Sequence, residues 1–156
     1  MKKGNVSDLL IYVLSAEVVG AVSALFSGGF SDFFVKYEKP PLLPPCWLFP
    51  VVWVILYAVM GYSAYLIHSV RSPNSKSALA VYWAQLFVNF WWSIVFFRFE
   101  ALWVSVGVIA LLWVLILVMI SRFSKIEPLA ARLNIPYLLW VSFAAYLNIA
   151  TAAINS

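Results

Sequence analysis

Apolar residues fall in five long blocks, at residues 9–26, 46–67, 78–97, 101–120 and 135–154. Each approaches the roughly 20 positions that a helix needs to cross a bilayer. The first connection, GGFSDFFVKYEKPPLLPP, starts with glycines and ends with prolines and is expected to be a loop, because both residue types stop a helix. A polar turn, RSPNSKS, follows the second block, and Arg98, Phe99 and Glu100 alone join the third to the fourth. So short a link makes those two helices antiparallel neighbours. SRFSKIEPLAARL separates the fourth block from the fifth, whose Pro136 is acceptable in a first helical turn. The pattern predicts an all-α integral membrane protein, a five-helix transmembrane bundle forming one domain over residues 1–156.

Composition carries the same message. Hydrophobic residues make up 65% of the chain and charged ones 10%, against about half and about a quarter in soluble domains. Lys2 and Lys3 precede the first block as in a signal peptide, yet no small-residue cleavage site followed by a soluble module is evident, so the block is expected to remain a spanning helix. Seven basic residues, Lys2, Lys3, Arg71, Lys76, Arg122, Lys125 and Arg132, fall on one side of the membrane, and three, Lys36, Lys39 and Arg98, on the other. The positive-inside bias predicts a cytoplasmic N-terminus with the proline-rich loop on the far side. It also accounts for the net charge of +4 without a nucleic-acid partner.

Polar and aromatic residues recur at helical spacing on three of the blocks. Trp53, Tyr57, Met60 and Ala64 share one face, as do Gln85, Asn89, Trp92 and Phe96, and Tyr137, Trp140, Ala144 and Asn148. Amides are costly in a bilayer unless they meet partners, so these stripes are expected to face the bundle interior. Trp83, Trp103 and Trp113 have no polar stripe beside them and read as packing or interfacial residues.

KPPLLPPCWLFPVVWVILYAVMGYSAY, from Lys39 to Tyr65, resembles the signature of the TspO/MBR family, the tryptophan-rich sensory proteins and translocator proteins or peripheral benzodiazepine receptors. NFWWSIVFF and IPYLLWVSFAAYLNIATAAIN resemble the family's third-helix and fifth-helix motifs. The resemblance implies a five-helix bundle, often a homodimer, in a prokaryotic cell membrane. It further implies that no cofactor is required and that porphyrins such as protoporphyrin IX, and planar aromatics such as isoquinoline carboxamides, are bound beneath the first loop. By motif, Pro44, Pro45, Tyr57, Asn89, Trp92 and Ala144 match ligand-lining positions. Trp53 and Trp140 match the tryptophans that support light-dependent porphyrin breakdown in some bacterial members. Phe33 and Phe34 replace a Trp-Tyr pair, Leu42 or Leu43 stands where a ring is often found between KP and PP, which thins the aromatic lid, and the C-terminal sterol pattern of animal members is missing after Tyr146.

Three functions follow: a receptor or sensor for tetrapyrroles, a light- and oxygen-dependent porphyrin-degrading enzyme, and a transporter of porphyrin or small apolar solutes. In the first, Trp53, Trp92 and Trp140 stack on the ligand, while Asn89, Asn148, Lys36 and Lys39 hold propionates. Glu17, near mid-span beside Ala16, Gly20 and Ala24, is expected either to be protonated or to bond an inner amide, Asn89 or Gln85. The small-residue ladder, and Ala80 with Ala84, are candidate dimer contacts. His68 reads as an interface residue and Cys46 as a small buried thiol. No metal-ligand spacing or catalytic triad is present in the sequence.

Overall fold

The computed structural model describes residues 4–156; Lys2 and Lys3, part of the basic count above, lie outside the described residues. Among the described residues seven α-helices form: α1 (Val6–Ser27), α2 (Phe30–Lys36), α3 (Leu48–Val70), α4 (Ser75–Ser93), α5 (Leu102–Ser124), α6 (Pro128–Leu133) and α7 (Ile135–Ile154). Taken with the short helices that extend them, five segments are long and apolar enough to cross a membrane.

Local chemistry sets the boundaries. The Asn5 side chain caps α1 by accepting from the Ser7 N–H at 3.3 Å, and Gly28, at φ 80°, ends the helix in a conformation that side chains disfavour. Two connections expected to be loops contain helix. Phe30–Lys36 coils because its only helix-stopping residues are Gly28 and Gly29 ahead of it, and its inner face buries Phe33 and Phe34. Glu127 and Pro128 start α6: the Glu127 carboxylate accepts from the Leu129 N–H, and proline at the first position needs no donor. The prolines from 40 to 45 do keep their stretch out of regular structure, and Pro50 falls in the first turn of α3.

Helix α4 continues into a π-helical turn, Ile94–Arg98, closed by the Phe99 N–H donating to the Ile94 carbonyl at 3.0 Å. The wider winding lets consecutive residues Phe96 and Phe97 both turn inward. Helix α1 packs chiefly on α3, while α5 packs on α4 on one side and on α6 and α7 on the other. Gly61 is where α1 and α3 cross: a Cβ there would lie 2.7 Å from the Tyr12 carbonyl oxygen and the Val13 Cα. The backbones of α3 and α7, by contrast, approach at few points. Aromatic side chains fill the space between them.

The proline-rich loop is tied down at three places. The Asn155 side chain both accepts from the Glu38 N–H at 2.8 Å and donates to the Glu38 carbonyl at 3.0 Å. The Tyr146 hydroxyl donates to the Pro41 carbonyl at 3.0 Å. Glu100, in the turn before α5, accepts from Lys36 and from the Tyr37 hydroxyl at 2.8 Å. Hydrogen bonds from Lys36 and then from Tyr37 hold the Glu100 carboxyl below the usual carboxylate range, and the bond to Glu100 pushes the Tyr37 phenol up.

Candidate functional site

All three inner stripes face the interior. Met60, Ala64 and Gln85 are fully buried, Tyr57, Asn89, Trp92, Tyr137, Ala144 and Asn148 nearly so, and Trp53 and Trp140 are half-buried beside them. Trp53 stands at the centre of an aromatic cluster. Its ring centroid lies 5.5 Å from Tyr57, 6.3 Å from Trp92, 6.3 Å from Tyr137 and 6.5 Å from Trp140, the last two edge-on. Offset and edge-to-face arrangements of this kind are favoured by the ring quadrupoles. Phe49 meets Trp140 edge-on at 5.9 Å and so closes the end nearest the loop.

Beneath the rings a chain of polar groups crosses the bundle. The Tyr57 hydroxyl donates to the Asn89 carbonyl oxygen at 3.0 Å, and the Asn89 amide donates to the Tyr137 hydroxyl at 2.6 Å. Tyr137 donates to the Gln85 carbonyl oxygen at 2.7 Å, and the Gln85 amide reaches the Met60 sulfur at 3.2 Å. Three helices are thereby stitched together through side chains that would otherwise be orphaned in an apolar interior. A second chain runs from Trp92, whose indole N–H donates to the Asn148 carbonyl oxygen at 2.9 Å, through the Asn148 amide to the Ser105 hydroxyl at 2.9 Å.

These bonds revise several expectations. Asn148 turns its amide towards α5, not towards an open space, so it holds Trp92 in place and offers no free group for a propionate. Lys36 is paired with Glu100. Glu17 bonds neither Asn89 nor Gln85, because both amides are already committed to tyrosines from other helices. Cys46 is exposed, since it lies in the loop ahead of α3 and nothing covers it. His68 lies 3.7 Å from the Asp8 carboxylate at the end of the bundle. Trp83 and Trp103 face outward, and Trp113, also on the outer surface, donates to the Ser142 hydroxyl.

A cleft of about 140 Å³ opens between α1, α3 and α4. Trp53, Tyr57, Asn89 and Trp92 line it, together with Glu17, Gly20, Ser23, Phe30, Pro50 and Ser93. Pro44 and Pro45 line a separate concavity within the loop, and Trp140, Ala144 and Asn148, on α7, are not among the residues lining the cleft. Ring packing does not satisfy every polar atom: the Trp140 indole N–H is buried without a hydrogen-bond partner. Phe49 and Ser23 escaped the sequence reading. Ser23 and Ser27, four residues apart on α1, were the available signal: Ser23 donates to the Phe90 carbonyl at 2.8 Å and the Ser27 and Ser93 hydroxyls are hydrogen-bonded at 2.6 Å.

Five apolar spans around an aromatic-lined cleft define a multi-pass integral membrane protein. The TspO/MBR family model matches residues 12–154. Protein CrtK of Rhodobacter capsulatus is 32% identical over 147 residues, 93% of this chain and 91% of that protein. Tryptophan-rich protein TspO of Chlorobaculum tepidum is 36% identical over 127 residues, 80% of each chain, and the translocator protein of Ovis aries is 35% identical over 120 residues, 74% of this chain and 70% of the other. The chain belongs to the TspO/MBR family of membrane sensors and translocators.

Proposed function

We propose that this protein is a membrane receptor for porphyrins, protoporphyrin IX and haem-like tetrapyrroles among them, and for other planar aromatics. The observation that carries the reading is the convergence of Trp53, Trp92 and Trp140, from three different helices, on one aromatic layer. A flat ligand entering that layer exchanges ring-on-ring contacts within the protein for contacts with itself. The sparse backbone contact between α3 and α7 lets the two helices part around it. The unpartnered Trp140 indole N–H supplies a donor for the ligand's polar edge, and Lys39, exposed in the loop above, supplies a cation for a propionate. Titration of the purified protein with protoporphyrin IX is expected to quench tryptophan fluorescence at micromolar concentration. Absence of quenching removes the proposal.

A second reading, light- and oxygen-dependent porphyrin breakdown, has its own support: the edge-on contact of Trp53 with Trp140 at 6.5 Å puts two oxidisable indoles side by side. Under illumination the Trp53→Phe, Trp140→Phe variant should then lose porphyrin absorbance more slowly than wild type. Equal loss reduces the effect to free photobleaching. For the membrane setting we propose a prokaryotic cell membrane, a cytoplasmic N-terminus, and a homodimer formed through the outward face of α4 that carries Ala80 and Ala84. In the small-residue ladder of α1, Ala16 is fully buried and Gly20 abuts Tyr57, so only Ala24 is exposed for a contact between chains.

A further inference from the structure

The cleft between α1, α3 and α4 holds one group that tetrapyrrole binding leaves unused. Glu17 stands near the middle of α1, half-buried, and lines the cleft together with Trp53, Tyr57 and Trp92. An acid at the depth of the lipid tails is costly and is retained where it faces a cavity, a partner charge or a ligand. Among the described residues Glu17 has no hydrogen-bond or ion-pair partner: Asn89 is committed to Tyr57 and Tyr137, and Gln85 to Met60 and Tyr137. The serines of the lining are neutral and occupied, Ser23 with the Phe90 carbonyl and Ser93 with Ser27. No Lys, Arg or His lines the cleft.

Close approach makes this arrangement possible. A Cβ on Gly20 would lie 2.4 Å from the Tyr57 ring, so the missing side chain lets the turn that carries Glu17 settle against the aromatic wall. Ala21, Ala24 and Val54 flank the cleft on the exposed surfaces of α1 and α3, which gives it a lateral mouth towards the bilayer. A carboxyl set among aromatic faces, with no protein cation nearby, is complementary to an organic cation: the carboxylate supplies the counter-charge and the rings supply cation–π contacts.

We propose that the cleft binds a membrane-partitioned aromatic cation, an apolar molecule bearing one quaternary or protonated nitrogen, with Glu17 as counter-ion and Trp53, Tyr57 and Trp92 as walls. The proposal stands apart from the tetrapyrrole reading, which puts its ligand between α3 and α7 and calls for a ligand charge of opposite sign.

The test uses the full chain in detergent micelles and two probes of one shape, N-methylquinolinium and 1-methylnaphthalene, measured by equilibrium dialysis against empty micelles. Glu17→Gln is expected to weaken the quinolinium by about tenfold or more, the loss of one close charge interaction, and the naphthalene by less than about twofold. Retained naphthalene binding also reports that the cleft is still formed. An equal factor on both probes, or an unchanged quinolinium affinity, overturns the proposal. Protoporphyrin IX titrated on the wild type separates the two readings: no quenching alongside a charge-selective loss removes the tetrapyrrole and keeps the cation, and the reverse pattern removes the cation alone.

Discussion

Asn89 donates to the Tyr137 hydroxyl at 2.6 Å while it accepts from Tyr57, and this one amide on α4 links α3 to α7 across the bundle. Because α3 and α7 approach each other at few points, the link stands in for direct backbone packing.

Replacing Asn89 with leucine keeps the branched side-chain shape, strands the Tyr57 hydroxyl and leaves Tyr137 only its bond to Gln85. The cost is expected to be about 1–3 kcal/mol, whereas Tyr57→Phe, which removes one donor and leaves Asn89 its bond to Tyr137, costs about 0.5–1.5 kcal/mol. Thermal unfolding in detergent measures both, and an Asn89→Leu protein as stable as Tyr57→Phe would contradict the bridging role.

Two glycines separate close approach from helix propensity. Gly61→Ala drives a methyl group into the α1 backbone and should destabilise by about 1–3 kcal/mol. A Cβ at Gly107, within α5, meets nothing inside 4 Å, so Gly107→Ala should be neutral or stabilising by up to about 1 kcal/mol. The same melting experiment reads the contrast, and a shift of one sign for both would refute the crossing at Gly61.

The loop tether responds to pH in a definite direction. Since Lys36 and Tyr37 lower the Glu100 pKa, the stabilisation is fully present above the ordinary carboxylate value of 4.5 and is lost as pH falls through the lowered value. Hydrogen exchange of residues 37–43, corrected for intrinsic rates, should show constant protection from neutral pH down to that point and loss below it. Glu100→Gln should lower protection at neutral pH. Protection indifferent to both changes would show that Asn155 and Tyr146 hold the loop alone.

Tryptophans inside and outside the bundle should differ in their effect on protoporphyrin IX. Trp53→Leu is expected to weaken binding about tenfold, through lost stacking. Trp103, 57% exposed on the outer surface, should tolerate Trp103→Leu without change. Titrations followed by porphyrin absorbance distinguish them.

Much of this architecture is written locally. Five spans follow from the length of apolar runs, and the inward faces follow from spacing, because burial of one helical stripe is a property of each helix by itself: Tyr57, Met60 and Ala64, Gln85, Asn89 and Trp92, and Tyr137, Ala144 and Asn148 all point inward. Helix α2 was hidden between glycines and prolines that mark only the ends of its connection. What tertiary structure alone decided is which polar atom meets which. Asn89 pairs with tyrosines and leaves Glu17 without a partner, Asn148 serves Trp92 and Ser105, and Lys36 is claimed by Glu100. Such pairings depend on the rotation and separation of helices to within a hydrogen-bond length, a long-range outcome of packing that no single helix encodes.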